Sequence, residues 1–185
     1  MKPQDIRSPG MVIWLTGLSG SGKSTIAGCL VDELRRRGHA VEHLDGDILR
    51  QMFPSTGFSR ESRNEHVRRV GYIAALLAKH GVYTVVSLIS PYRESRHFAR
   101  SLAPAFMEVY VSTPLEVCER RDVKGLYAKA RRGELSQFTG VDDPYEPPVN
   151  PEITIDTLAC SAQEAAAAIA RATETAGEKP SCATR

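Results

Sequence analysis

"GLSGSGKST", residues Gly17 to Thr25, stands between the apolar run "MVIWLT" (11–16) and "IAGCLVDEL", which begins at Ile26 with helical spacing of its apolar residues. Gly17, Gly22, Lys23 and Ser24 satisfy G-x-x-x-x-G-K-[ST], the phosphate-binding P-loop. The physical reason for the pattern is close approach. Phosphate oxygens must reach main-chain amides, glycines leave the room, and the N-terminus of the following helix adds partial positive charge. In that reading Lys23 reaches the β and γ phosphates of a bound nucleotide and Ser24 ligates Mg²⁺.

The strand-to-helix step repeats along the chain. Apolar, β-branched runs recur at 11–16, 40–45, 82–89, 106–112 and 152–156, separated by longer amphipathic stretches. Strands alternating with helices predict an α/β fold, and the near-continuous apolar character of several runs predicts a parallel five-stranded sheet with helices on both faces. Ile26, Leu30 and Leu34 predict a helix stopped at Gly38. Ser59 predicts an N-cap, with Glu61 in the first turn and an inward stripe of Val67, Val70, Ala74 and Leu77 ending near Gly81. Thr113-Pro114 opens another helix.

Two regions break the alternation. Residues of about 122–150, rich in Arg, Gly and Pro, predict a mobile lid between the fourth and fifth strands. The division that follows is an N-terminal extension (1–10), one domain (11–176) and a disordered tail (177–185). The 185 residues are 42% hydrophobic and 25% charged, with a net charge of +2, which suits one soluble domain and gives no basic field for nucleic acid. Cys29, Cys118, Cys160 and Cys182 are scattered, without metal-ligand spacing, and read as reduced. The polar opening "MKPQDIRSPG" is unlike a signal peptide, and no apolar run approaches a membrane span, so a cytoplasmic address is expected.

The chemistry needs carboxylates as well as a phosphate cradle. The third strand ends in Ser90-Pro91 without an acid, whereas the second ends in "LDGD", placing Asp45 and Asp47 at the mouth of the P-loop. One suits the water shell of the metal and the other an acceptor hydroxyl. Arg50, one helical turn beyond Asp47, and Arg63, at the head of the Val67 stripe, are expected to face the cleft, where guanidinium forks suit phosphate or sulfate. Arg68, Arg69, Arg96 and Arg100 read as solvated charges.

From about Val12 to Asp156 the chain resembles one family, the adenylyl-sulfate kinases (APS kinases). The carriers are "IWLTGLSGSGKSTIA", "LDGDILR", "GFSRESRNEHVRRV", "SLISPYRESR", "DVKGLY" and "FTGVDDPYE" in this order. The resemblance implies a P-loop NTPase-type kinase fold and transfer of the γ-phosphoryl of ATP to the 3′-hydroxyl of adenosine 5′-phosphosulfate (APS), giving PAPS. It implies ATP on Gly17, Ser19, Gly20, Ser21, Gly22, Lys23, Ser24 and Thr25, with Mg²⁺ at Ser24 and Asp45. APS falls to Asp47, Arg50, Phe58, Arg63, His66, Ile89, Ser90, Lys124 and Phe138, with the two phenylalanines flanking adenine. Lys23, Asp45, Asp47 and Ser90 form the catalytic set, Ser90 as a hydrogen-bond donor or as a modified residue. A homodimer, with a sulfurylase as a further partner, is also implied.

Three positions depart from the family pattern. Ile48 replaces the asparagine that usually follows "DGD", His66 replaces that of "ENIRR", and Ser136 stands where a lysine commonly precedes "FTG". All three lie on the acceptor side. Two alternatives therefore remain: a kinase acting on another nucleotide hydroxyl, such as that of a cytidine diphosphate derivative, and a nucleotide-binding module without catalysis.

Overall fold

The computed structural model describes residues 9–53 and 57–177. The predicted tail beyond 177, Cys182 and most of the N-terminal extension lie outside them. In chain order the elements are β1 (Val12–Thr16), α1 (Lys23–Arg36), β2 (Val41–Asp45), α2 (Gly46–Met52), α3 (Arg60–Lys79), β3 (Tyr83–Ser87), α4 (Arg93–Leu102), β4 (Phe106–Val111), α5 (Leu115–Arg121), α6 (Leu126–Arg131), β5 (Ile153–Ile155) and α7 (Ala162–Gly177). All five expected strands form. They pair in parallel in the order β2-β3-β1-β4-β5.

Strand alternation divides the core between two faces. Ile13 and Leu15 of β1 pack with Ile26, Leu30 and Leu34 of α1 and Ile169 of α7, while Val12 and Trp14 pack with Val67, Val70 and Ala74 of α3 and Ala99 of α4. Both faces of β1 are thus buried, as its unbroken apolar run requires. Ser59 caps α3 by accepting from the Ser62 amide at 3.2 Å. Gly38, with φ of 85°, follows the end of α1.

The segment between α5 and β5 carries α6 and a small core of its own, in which Cys118, Tyr127, Ala130 and Phe138 pack with Leu18 and Leu115. Its returning arm is anchored to the body: Glu146 N donates to Pro91 O at 2.8 Å, and the Tyr145 hydroxyl lies 2.9 Å from that of Thr16.

Two of the arginines expected in solvent are placed otherwise. Arg96 is 1% exposed, with Nε 2.7 Å from Glu108 Oε1; Arg100 is half-buried and binds Glu152 through two hydrogen bonds of 2.6 and 2.8 Å. The cause is Glu108 itself, which β4 carries into the interior and which requires a cation there. Cys29, Cys118 and Cys160 are free thiols. Among the described residues no helix is long and apolar enough to cross a membrane.

Candidate active site

Parallel sheets gather ligands at the carboxyl ends of their strands, and here β1, β2 and β3 deliver the P-loop, Asp45 and the 88–91 turn to the same edge. The P-loop starts at Gly17, whose φ is 154° and where a Cβ would lie 2.6 Å from Val111 O. Gly22, at φ 102°, sits in the left-handed region immediately before α1. Only glycine satisfies both positions without strain. The first amides of α1, which helical bonding leaves over, then face the edge of the sheet.

Lys23 is buried, and its ammonium donates to Leu18 O at 2.6 Å and to Ser21 Oγ at 3.4 Å. Burial lowers its pKa to about 8, well below that of an ordinary lysine. Ser24 donates to Asp45 Oδ2 at 3.1 Å, and Ser87 donates to the same oxygen at 2.9 Å. The other oxygen, Oδ1, accepts from the amides of Asp47 at 2.9 Å and Ile48 at 3.4 Å, capping α2. Partial burial pushes the Asp45 carboxyl upward, but these donors outweigh it and hold the group below the usual range, ionised at neutral pH.

A cavity of about 530 Å³ opens from this point. Ser19, Gly20, Gly22, Lys23, Ser24 and Thr25 line one end; Asp47, Arg50, Phe58, Arg63, His66, Ile89, Ser90, Lys124 and Phe138 line the rest. Gly17, Ser21 and Asp45 stand behind the wall, the first two shaping the loop and the third bonded to Ser24. Phe138 is buried edge-on against Tyr127, with centroids 4.9 Å apart, whereas Phe58 is about half exposed and flanked by the Arg50 and Arg63 guanidiniums at 4.9 and 5.5 Å. Arg63 donates to Phe58 O at 2.8 Å and also to Gln137 O, tying the start of α3 to the 122–150 segment. Lys124 forms an ion pair with Asp47 across the mouth.

His66 is 1% exposed, and neither ring nitrogen has a partner in hydrogen-bond geometry. Burial, with the Arg50 charge behind it, lowers its pKa to about 4, so the ring is neutral. Ser90 lines the cavity, but its hydroxyl is engaged by Trp14 Nε1 and Thr16 Oγ1, each at 3.0 Å.

Several wall residues were not singled out in the sequence: Ser87, Arg121, Tyr127 and Thr139. Tyr127, whose hydroxyl donates to Ser19 O at 3.0 Å, lies within "DVKGLY", so its signature was visible while its partner was not. Thr139, immediately after Phe138, carries a buried hydroxyl without a partner. Nothing in the spacing marks Ser87, because its role depends on β2 and β3 lying side by side.

A P-loop on a five-stranded parallel sheet, with a lysine, a serine-carboxylate pair and an aromatic, arginine-flanked pocket beyond it, defines a P-loop kinase. The family model for adenylylsulphate kinase matches residues 9–156. The adenylyl-sulfate kinase of Gloeothece citriformis (strain PCC 7424) is 53% identical over 153 residues, 82% of this chain and 87% of that protein. That of Chloroflexus aurantiacus (strain ATCC 29364 / DSM 637 / Y-400-fl) is 54% identical over 149 residues, 80% of each. The Mycobacterium tuberculosis APS kinase CysC, solved in complex with AMPPNP and APS, superposes with a TM-score of 0.86 at 43% identity, covering 90% of this chain and 98% of that one. The chain belongs to the adenylylsulphate kinase family.

Proposed function

We propose that this chain transfers the γ-phosphoryl group of ATP to the 3′-hydroxyl of APS, giving PAPS. One observation carries the reading: a single cavity runs from the P-loop to two phenylalanines, one of them beside the paired guanidiniums of Arg50 and Arg63. A planar base suits the rings, and the phosphosulfate suits the arginines. The names of the relatives support the same acceptor.

The residues divide the work by position. The P-loop from Gly17 to Thr25 holds the triphosphate, and Lys23 stabilises charge on the transferred group and its leaving oxygens. The hydroxyl of Ser24 and the carboxylate of Asp45, 3.1 Å apart, form the hard oxygen set that suits Mg²⁺, with Asp45 addressing its water shell. When bound, the ion would neutralise phosphate charge. Among the described residues there is no group of three or more His, Cys, Asp and Glu able to hold a metal, which suits an ion completed by phosphates and water. Asp47, on the first turn of α2, orients or deprotonates the acceptor hydroxyl, and Lys124 neutralises it from the opposite side. The segment around 122–150 acts as a lid that excludes water from the transfer. Ser90 serves through the shape of its turn and its hydrogen bonds.

The purified protein, given ATP and Mg²⁺, is expected to release ADP when APS is added and not when cytidine nucleotides are. Release with a cytidine nucleotide alone would move the acceptor to that class; ATP binding without transfer to either would favour a non-catalytic module. The homodimer and the sulfurylase partner belong to the same reading and are tested by light scattering and by co-purification.

A further inference from the structure

Arg96 contributes no atom to the cavity wall, yet its guanidinium touches three parts of the fold that meet behind it. Nε binds Glu108 of β4 at 2.7 Å, Nη1 donates to Ser90 O at 2.6 Å, and Nη2 donates to Glu146 O at 2.7 Å. Ser90 has φ of 41°, a left-handed conformation that residues with a Cβ avoid and that persists only when its surroundings over-determine it. The surroundings here are the Arg96 bond to its carbonyl and the bonds of Trp14 and Thr16 to its hydroxyl. Thr16, the residue before the P-loop, also donates to Ile89 O at 2.7 Å. The turn that lines the acceptor half of the cavity and the returning arm of the 122–150 segment are therefore clamped by one buried cation.

We propose that Arg96 is a positioning residue for the acceptor, holding the Ile89-Ser90 wall and the base of the lid in one arrangement through its bonds to Ser90 and Glu146. This rests on the phosphotransfer reading above. Arg96 is required for its fork rather than its charge, since a point charge satisfies Glu108 but cannot reach two carbonyls on diverging segments as well.

Arg96→Lys is the discriminating variant. The KM for APS is expected to rise about tenfold or more while the KM for ATP stays within about twofold, because misplacement is confined to the acceptor wall. Trp14, the single tryptophan, bonds the Ser90 hydroxyl, so its emission reports the same turn and is expected to shift in the variant. An unchanged APS KM, or equal rises in both KM values, would overturn the proposal. Arg96→Met combined with Glu108→Gln removes both buried charges and covers the case in which the lysine variant fails to fold; the same split is expected, and wild-type APS KM in the double variant refutes positioning. If the wild-type protein were inert with APS, the function would fall, while an unshifted Trp14 emission in Arg96→Lys would separately reject the tether.

Discussion

Under the proposed function Lys23 carries opposing demands: it must be charged to meet phosphate, and it is buried where charge is costly. With its pKa lowered to about 8 chiefly by burial, the free enzyme loses the ammonium as pH rises through that value. The kcat/KM for ATP is therefore expected to fall above about pH 8, whereas kcat, measured with triphosphate bound, holds to higher pH because the phosphates favour the charged form. Lys23→Arg, with a side chain that stays charged, should abolish that alkaline limb even if its activity is low; a limb that survives would assign it to another group. Asp47 offers a second test at the same scale. Asp47→Asn is expected to lower kcat by about two orders of magnitude or more, with the KM for ATP within about twofold, and unchanged turnover would remove Asp47 from the chemistry.

Helix packing shows where a residue's surroundings reverse its intrinsic preference. Gly28 in α1 and Gly71 in α3 both sit within helices, where alanine normally stabilises. At Gly28 a Cβ meets nothing within 4 Å, but at Gly71 it would lie 2.9 Å from the Ala99 Cβ of α4 and 3.1 Å from its Cα. Gly28→Ala is expected to stabilise by about 0.5–1 kcal/mol and Gly71→Ala to destabilise by about 1–3 kcal/mol, read from denaturant midpoints. Equal and positive changes would show that α3 and α4 can separate at no cost. The sequence made most elements legible because their signals are local: the apolar runs of β1 to β5, the Ser59 cap and the P-loop each lie within a few residues. Their neighbours in space were not legible. Arg96 looks solvated on its own helix, and only the pairing of β4 beside β1 reveals the buried Glu108 that draws it in. Ser87 and Thr139 enter the site for the same reason, through strand order and the placement of the 122–150 segment, which no window of sequence contains.

For the molecule as a whole, the buried imidazole of His66 links the cavity wall to acid stability. The groups that face it are Asp47 and Arg50 from α2, Arg69 from its own helix, and the Phe53 ring edge-on at 6.2 Å. Burial and the Arg50 charge, offset in part by the Gly46 backbone, lower its pKa from 6.5 to about 4. Between those values the unfolded chain takes up a proton that the folded chain refuses, so stability falls as pH drops through the window. His43 moves in the same direction through burial. Asp45 and Glu152 act lower on the scale: hydrogen bonds hold each below its ordinary range against the opposing effect of burial, so their stabilisation is present above the unfolded carboxylate range and is lost below it. The first part of the fall, from about pH 6.5 to 5, thus belongs to the histidines, and over its full window His66 would contribute about 3 kcal/mol, or roughly 6–12 °C in Tm for a domain of this size. His66→Asn, which places an uncharged amide at the same point, is expected to flatten that part of the Tm profile while leaving the carboxylate decline below about pH 5 in place. The comparison is of slopes, because the substitution also changes packing and hydrogen bonding at neutral pH. A variant whose Tm falls as steeply as the wild type between pH 6.5 and 5 would mean that the pocket admits the proton to His66 in the folded state, so that below about pH 6.5 the ring lines the cavity as a cation.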